Sequence, residues 1–194
     1  MKDALISRDD LRGLHPVFRG SYGDKLIDIG IKISALHVPN EIYNRSKHLT
    51  SHEFCKDVLD KLGVIRILQN IEVLDDFKDK PFITVSNHPY GHIDGIAVIE
   101  TFASRVDNYK IMVNHILGLI DTMSENFITV DPFGNEDKNK VTFAGIRESI
   151  AHIKKKYPMG FFPAGAVSNL YLKKGKFVIE DRDWQPAVLK IIQK

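Results

Sequence analysis

The stretch Ser86-Asn87-His88-Pro89-Tyr90-Gly91-His92-Ile93-Asp94-Gly95 places two imidazoles and a carboxylate in one turn, directly behind the apolar run Phe82-Ile83-Thr84-Val85-Ser86. A histidine that takes protons near neutral pH needs one ring nitrogen facing the substrate and a partner on the other to fix its tautomer. Asp94 is suited to be that partner for His88. The five residues between them mean that the chain must turn back on itself, which Gly91 and a helix starting near Asp94 allow. A turn histidine beside a helix-capping aspartate uses the same residue types, so this stretch alone leaves the catalytic and structural readings both open. His92 either lines the same site or faces solvent, and a structural role is the expectation for it.

The elements around this turn are read from periodicity. The run Leu26 to Leu36 is expected to form a short, amphipathic helix. Thr50 with Glu53 three residues on has the form of a capping box, Phe54, Val58, Leu59 and Leu62 recur at helical spacing, and Gly63 is placed to stop the helix. Val64–Leu68, Phe82–Ser86, Tyr109–Val113, Phe127–Val130 and Gly160–Phe162 read as strands. Ile96–Val106, His115–Met123, Val141–Tyr157 and Trp184–Lys194 read as helices, with a polar loop from Asp131 to Lys140. Strands alternating with helices predict an α/β sheet covered by helices. In such sheets, ligands sit beyond the carboxyl ends of the strands, where His88 falls.

At this point the sequence resembles the glycerolipid and lysophospholipid acyltransferases. Asn87-His88 followed by Asp94 is similar to their His-and-Asp signature, although the spacing is one residue longer than usual. The form Asn-His-Pro-x-Gly-x-x-Asp-Gly resembles the hemolysin-like branch, which includes O-acyltransferases of amino-acid-headgroup lipids. Phe127-Ile128-Thr129-Val130-Asp131-Pro132-Phe133-Gly134 falls where the family has its second block. Gly160-Phe161-Phe162-Pro163-Ala164-Gly165-Ala166-Val167-Ser168 resembles the third. Order and spacing agree over about residues 64–190.

The resemblance implies a mixed sheet flanked by helices, with an N-terminal helical segment. It implies transfer of a fatty acyl group from acyl-CoA or acyl carrier protein to the hydroxyl of a lyso-lipid in membrane lipid biosynthesis. His88 would be the general base and Asp94 its orienting partner. Asn87, Pro89, Tyr90, Gly91, Asp131, Phe133, Pro163, Gly165 and Ala166 would bind substrate, and backbone N–H groups around Gly165 and Ala166 would receive the oxyanion. Tyr90, Phe133 and Phe162 would line an acyl groove. No cofactor beyond the acyl donor is implied.

Departures from the family pattern narrow the acceptor. Ala164 and Val167 stand where the third block usually carries Glu and then Arg, and Asp131 where the second usually ends in Arg. Arg holds phosphate with a bidentate fork. Its absence favours an amino-acid lipid with a free hydroxyl over lysophosphatidic acid, unless Lys138, Lys140, Arg147, Lys173, Lys174 or Lys176 reaches the site.

Composition sets the outer bounds. The chain has 194 residues, 43% hydrophobic and 27% charged, with a formal net charge of +2 and one cysteine, Cys55. This excludes a disordered, collagen-like or disulfide-built protein, and leaves no electrostatic footprint of nucleic-acid binding. No apolar run approaches the roughly 20 residues of a membrane-spanning helix. A cytoplasmic protein, peripheral at the inner face of the cytoplasmic membrane, is the expectation. Residues 1–49 would be the helical, membrane-interfacial segment, with Lys25 and Lys32 beside its apolar residues, or a helix packed on the domain. Residues 50–194 would be the acyltransferase domain, truncated at its C-terminus, because the family pattern continues past the helix at Trp184.

Other chemistries find little support. His48 and His52 lie four apart with Glu53 following, but no third ligand falls at a recognisable spacing. Cys55 sits at a packing position and reads as a small buried hydrophobe rather than a nucleophile. Neither a Gly-x-Ser-x-Gly elbow nor a phosphate-binding P-loop is present. Lys154-Lys155-Lys156 reads as a helix end favoured by the dipole. A lipid-binding module that kept the fold but lost catalysis is the alternative.

Overall fold

The computed structural model describes residues 9, 12, 13, 16–20, 22–33, 37–77, 80–130, 136–173 and 175–193. The elements in chain order are α1 (Gly23–Ile33), α2 (His37–Ser46), α3 (Ser51–Lys61), β1 (Ile83–Val85), α4 (His92–Ala103), β2 (Lys110–Asn114), β3 (Phe127–Val130), α5 (Glu136–Lys154), β4 (Met159–Phe161), β5 (Asn169–Lys173), β6 (Lys176–Glu180) and α6 (Pro186–Ile192). Four strands form one sheet in the order β1-β4-β2-β3, and every pair in it is parallel. The expected α/β sheet flanked by helices is therefore present. Its antiparallel part is a separate ribbon of β5 and β6.

Alternation along the strands explains how the sheet is covered on both faces. Ile111, Val113 and Phe127 point into a core built with Tyr43, Phe54, Cys55, Val58 and Ile99 from α2, α3 and α4. Ile128, Met159 and Phe161 belong to a second core with Val188 and Ile191 of α6, backed by Ile146, Ile150 and Ile153 of α5. Cys55 is fully buried and its thiol pKa is raised, chiefly by burial and also by Glu100, as a packing residue requires.

α3 ends in a complete Schellman motif. Gly63, at φ +69°, donates to Asp60 O at 3.0 Å, and Val64 donates to Leu59 O at 2.9 Å. At its start Thr50 is the N-cap residue, but its side chain makes no capping hydrogen bond, so the expected capping box does not form.

Several elements differ from the sequence reading. Among the described residues Val64–Leu68 pairs with no strand, and Ile65 and Ile67 are 86% and 81% exposed. Its β-branched residues favour extension but supply no buried face, and packing decides strand pairing. His115–Met123 is two 3₁₀ turns, His115–Leu119 and Asp121–Asn126, rather than one helix. Gly118 lies against β3 so closely that a Cβ there would come within 2.9 Å of Thr129 Cγ2. α4 starts at His92, four residues before the expected Ile96. The Asp131–Lys140 loop is shorter than expected at its far end, because α5 begins at Glu136. The N-terminal run is helical over Gly23–Ile33, with Ile27 buried, while residues 34–36 lie outside the described part.

Candidate active site

β2, β3 and β4 deliver Asn114, Val130 and Phe161 at their carboxyl ends to one cavity of about 360 Å³, and the loop after β1 brings His88 to it. After β1 the chain passes through His88 to Gly91, whose φ of +65° and ψ of −125° lie in a region that only glycine enters freely. That reversal starts α4 and brings Asp94, in its first turn, back beneath His88. Asp94 Oδ2 is 3.1 Å from His88 Nδ1 and also accepts the Tyr90 N–H at 2.8 Å. A carboxylate in the first turn of a helix is favoured by the helix dipole, so the same position stabilises α4 and orients the imidazole. With Nδ1–H donated to Asp94, Nε2 carries the lone pair.

Further contacts hold His88 in place. Its ring lies 4.5 Å from the Phe162 ring, centroid to centroid, at 36°. Its carbonyl accepts the Ser168 N–H at 2.9 Å, and its own N–H donates to Asp181 Oδ1 at 3.2 Å. The Ser168 hydroxyl donates to the same Asp181 oxygen. The first and third sequence blocks are thus tied together through Asp181, which sequence reasoning missed. The acidic cluster before Trp184 carried no periodic or motif signal that singled it out.

The cavity runs from His88 and Gly91 past Phe162, Gly165, Ala166 and Val167 at the rim, inward to Ile111, Val113, Leu117, Ile120, Met123 and Phe127. Its lining is mainly aliphatic and aromatic. Among the described residues no Lys or Arg lines it. Arg147, Lys173 and Lys176 are not part of it, and the side chains of Lys138, Lys140 and Lys174 lie outside the described part. Sequence reasoning did not place Gln185, Val188 or Asn114 at the site, yet all three line the cavity.

Of the expected site residues, His88, Gly91, Gly165 and Ala166 line the cavity, with Asp94 behind His88. His92, expected to be structural, lines it and is also exposed. Phe162 lines it as expected. Asn87, Pro89, Tyr90 and Pro163 are not in the lining: Tyr90 is 70% exposed and Pro163 is fully buried. Asp131 and Phe133 lie outside the described residues.

The oxyanion expectation changes in one respect. The Gly165 N–H already closes a turn onto Phe162 O at 2.9 Å, so Gly165 lacks a free donor. The Ala166 N–H makes no hydrogen bond among the described residues. Gly165 is favoured by its φ of +67°, and the Gln185 side-chain amide packs where a Cβ would stand.

A polarised imidazole at the mouth of an apolar slot, on the carboxyl edge of a parallel sheet, suits transfer chemistry on a substrate with a long apolar part. Residues 23–193 match a family model described as acyltransferase. The chain belongs to this acyltransferase family and is an enzyme of that class. No curated protein matches it.

Proposed function

We propose that the chain is an O-acyltransferase that moves a fatty acyl group from acyl-CoA or acyl carrier protein to the hydroxyl of a lyso-lipid. The observation that carries this reading is the 3.1 Å contact between His88 Nδ1 and Asp94 Oδ2 at the mouth of the apolar cavity. His88 Nε2 takes the proton from the acceptor hydroxyl as its oxygen attacks the thioester carbonyl carbon, and Asp94 stabilises the imidazolium that forms. The tetrahedral oxyanion meets the Ala166 N–H. Its collapse breaks the carbon–sulfur bond, and the departing thiolate takes the proton back from His88. No covalent acyl-enzyme is needed. The acyl chain occupies the slot between Ile111, Leu117 and Met123. Gly91, Gly165 and Ala166 face the reacting groups.

The acceptor follows from charge. A phosphate-bearing acceptor needs a cation to replace its water, and the described lining has none. An amino-acid-headgroup lipid with a free hydroxyl is therefore favoured, with lysophosphatidic acid next. The Asn87 to Gly95 pattern supports the hemolysin-like branch. The enzyme then works in membrane lipid biosynthesis, peripheral at the inner face of the cytoplasmic membrane. Among the described residues no helix is long and apolar enough to cross a membrane.

Purified protein given a long-chain acyl-CoA and either acceptor is assayed for free thiol release and for product mass. Faster release with the amino-acid lipid is expected. A clear preference for lysophosphatidic acid overturns the acceptor assignment, and thioester turnover with neither overturns the lyso-lipid reading.

A further inference from the structure

The ribbon of β5 and β6 has one wholly apolar face. Leu170 opposes Ile179 and Leu172 opposes Phe177 across the pair, and directly opposed residues project from the same side. These four side chains are 64%, 52%, 67% and 76% exposed. The reverse side carries Asn169 opposite Glu180, Tyr171 opposite Val178 and Lys173 opposite Lys176. There Lys173 pairs with Glu180 and lies 5.4 Å from the Tyr171 ring centre, and Asn169 donates to the Tyr171 hydroxyl at 3.1 Å. At the tip Lys173 and Lys176 are directly opposed and so project from this reverse side, and Gly175 turns the chain at φ +75°.

Among the described residues no strand of the main sheet pairs with this ribbon. A lone two-stranded ribbon is marginally stable in water, and a contiguous apolar face rimmed by polar groups marks an interaction surface. Two observations select the occupant. The first is charge: an apolar face backed near its tip by Lys173 and Lys176 on the opposite side has the design of an element that lies in the headgroup layer of an anionic bilayer. The second is continuity with the site. β5 leaves directly from Val167, which lines the cavity, and Asp181 at the end of β6 holds His88 and Ser168.

We infer that the β5–β6 ribbon docks the enzyme on an anionic bilayer, with Leu170, Leu172, Phe177 and Ile179 in the outer hydrocarbon and the tip lysines on the headgroups. The cavity rim is then held at the lipid surface. The inference rests on the reading that the acceptor is a membrane lipid.

The test uses the full chain and sedimentation with vesicles of equimolar phosphatidylglycerol and phosphatidylcholine. Leu172→Asp/Phe177→Asp should lower the bound fraction about tenfold or more, with thioester turnover on a detergent-dispersed acceptor unchanged. Leu172→Ser/Phe177→Ser should give a smaller loss in the same direction, which guards against a folding artefact. Wild-type binding should weaken on vesicles of phosphatidylcholine alone. Undiminished vesicle binding by both variants overturns the inference and leaves acyl transfer untouched. So does a wild type that ignores vesicles but forms a dimer lost in the variants. If binding depends on the ribbon but wild type turns over no thioester with dispersed lyso-lipid, the acceptor reading fails while the docking role stands.

Discussion

Asp181 Oδ1 accepts the backbone N–H of His88 at 3.2 Å from 93 positions away in the chain. The same oxygen takes the Ser168 hydroxyl, so one carboxylate positions the proposed base and the start of the ribbon together. Asp181→Asn keeps an acceptor oxygen and should retain most activity. Asp181→Ala should lower kcat about tenfold, since a hydrogen bond to a charged group contributes about 1.5–3 kcal/mol. KM for the acyl donor should change little. Equal activity of the two variants, with loss confined to thermal stability, would show that Asp181 is structural alone.

His88→Ala removes the proposed base and should lower kcat by about 10²- to 10⁴-fold, with an unchanged circular dichroism spectrum. Asp94→Asn can still accept the Tyr90 N–H but no longer holds a charge against the imidazolium. A loss of about a hundredfold is expected. Steady-state release of free thiol measures both. Wild-type rates for His88→Ala would remove His88 from the chemistry.

Gly160 lies where β4 crosses Tyr109 and Thr84, whose hydroxyls are 2.5 Å apart. A Cβ at Gly160 would meet Tyr109 Oη at 2.3 Å, Thr84 Oγ1 at 2.8 Å and Ile111 Cγ2 at 2.9 Å. Gly160→Ala should therefore destabilise the fold by about 1–3 kcal/mol, read as a lower urea midpoint. Adding Tyr109→Phe removes the closest atom, so the double variant should be less destabilised than the sum of the two single variants. Simple additivity would place the strain elsewhere.

His152 is buried, and its pKa is lowered from the ordinary 6.5 chiefly by burial. Lys110 lowers it further, while contacts with the Pro158 and Asn108 backbone and with Glu148 act in the opposite direction. The unfolded chain thus binds the proton more readily than the folded one. Stability is fully present above the unfolded value and falls as pH drops through 6.5 toward the folded value. Urea midpoints measured from pH 8 down to pH 5 should decline more steeply for wild type than for His152→Gln. Parallel curves would show that another group is responsible.

Much of the site was legible because its residues are close in sequence. His88, Gly91 and Asp94 share one turn, and the types needed to fold it back are written there. β2 and β3 were legible from β-branched runs whose alternating side chains both find a core. The ribbon was overlooked although its signal is present: Leu170, Leu172, Phe177 and Ile179 alternate on either side of Lys174-Gly175. Asp181 could not be read locally, because its role depends on the ribbon returning to its own base. Val64–Leu68 misled for the opposite reason: its extended propensity is real, but no sheet edge receives it.

The strand order has a kinetic side. In the sheet, β1 hydrogen-bonds to β4 alone, and β2 reaches β1 only through β4. A chain emerging from the ribosome exposes β1 and its histidine turn long before that partner is made. Pairings of such sequence separation form slowly, so β1 should acquire its protection from hydrogen exchange late in folding. The proposed base would then reach its working geometry among the last events, after β2 and β3 have already paired.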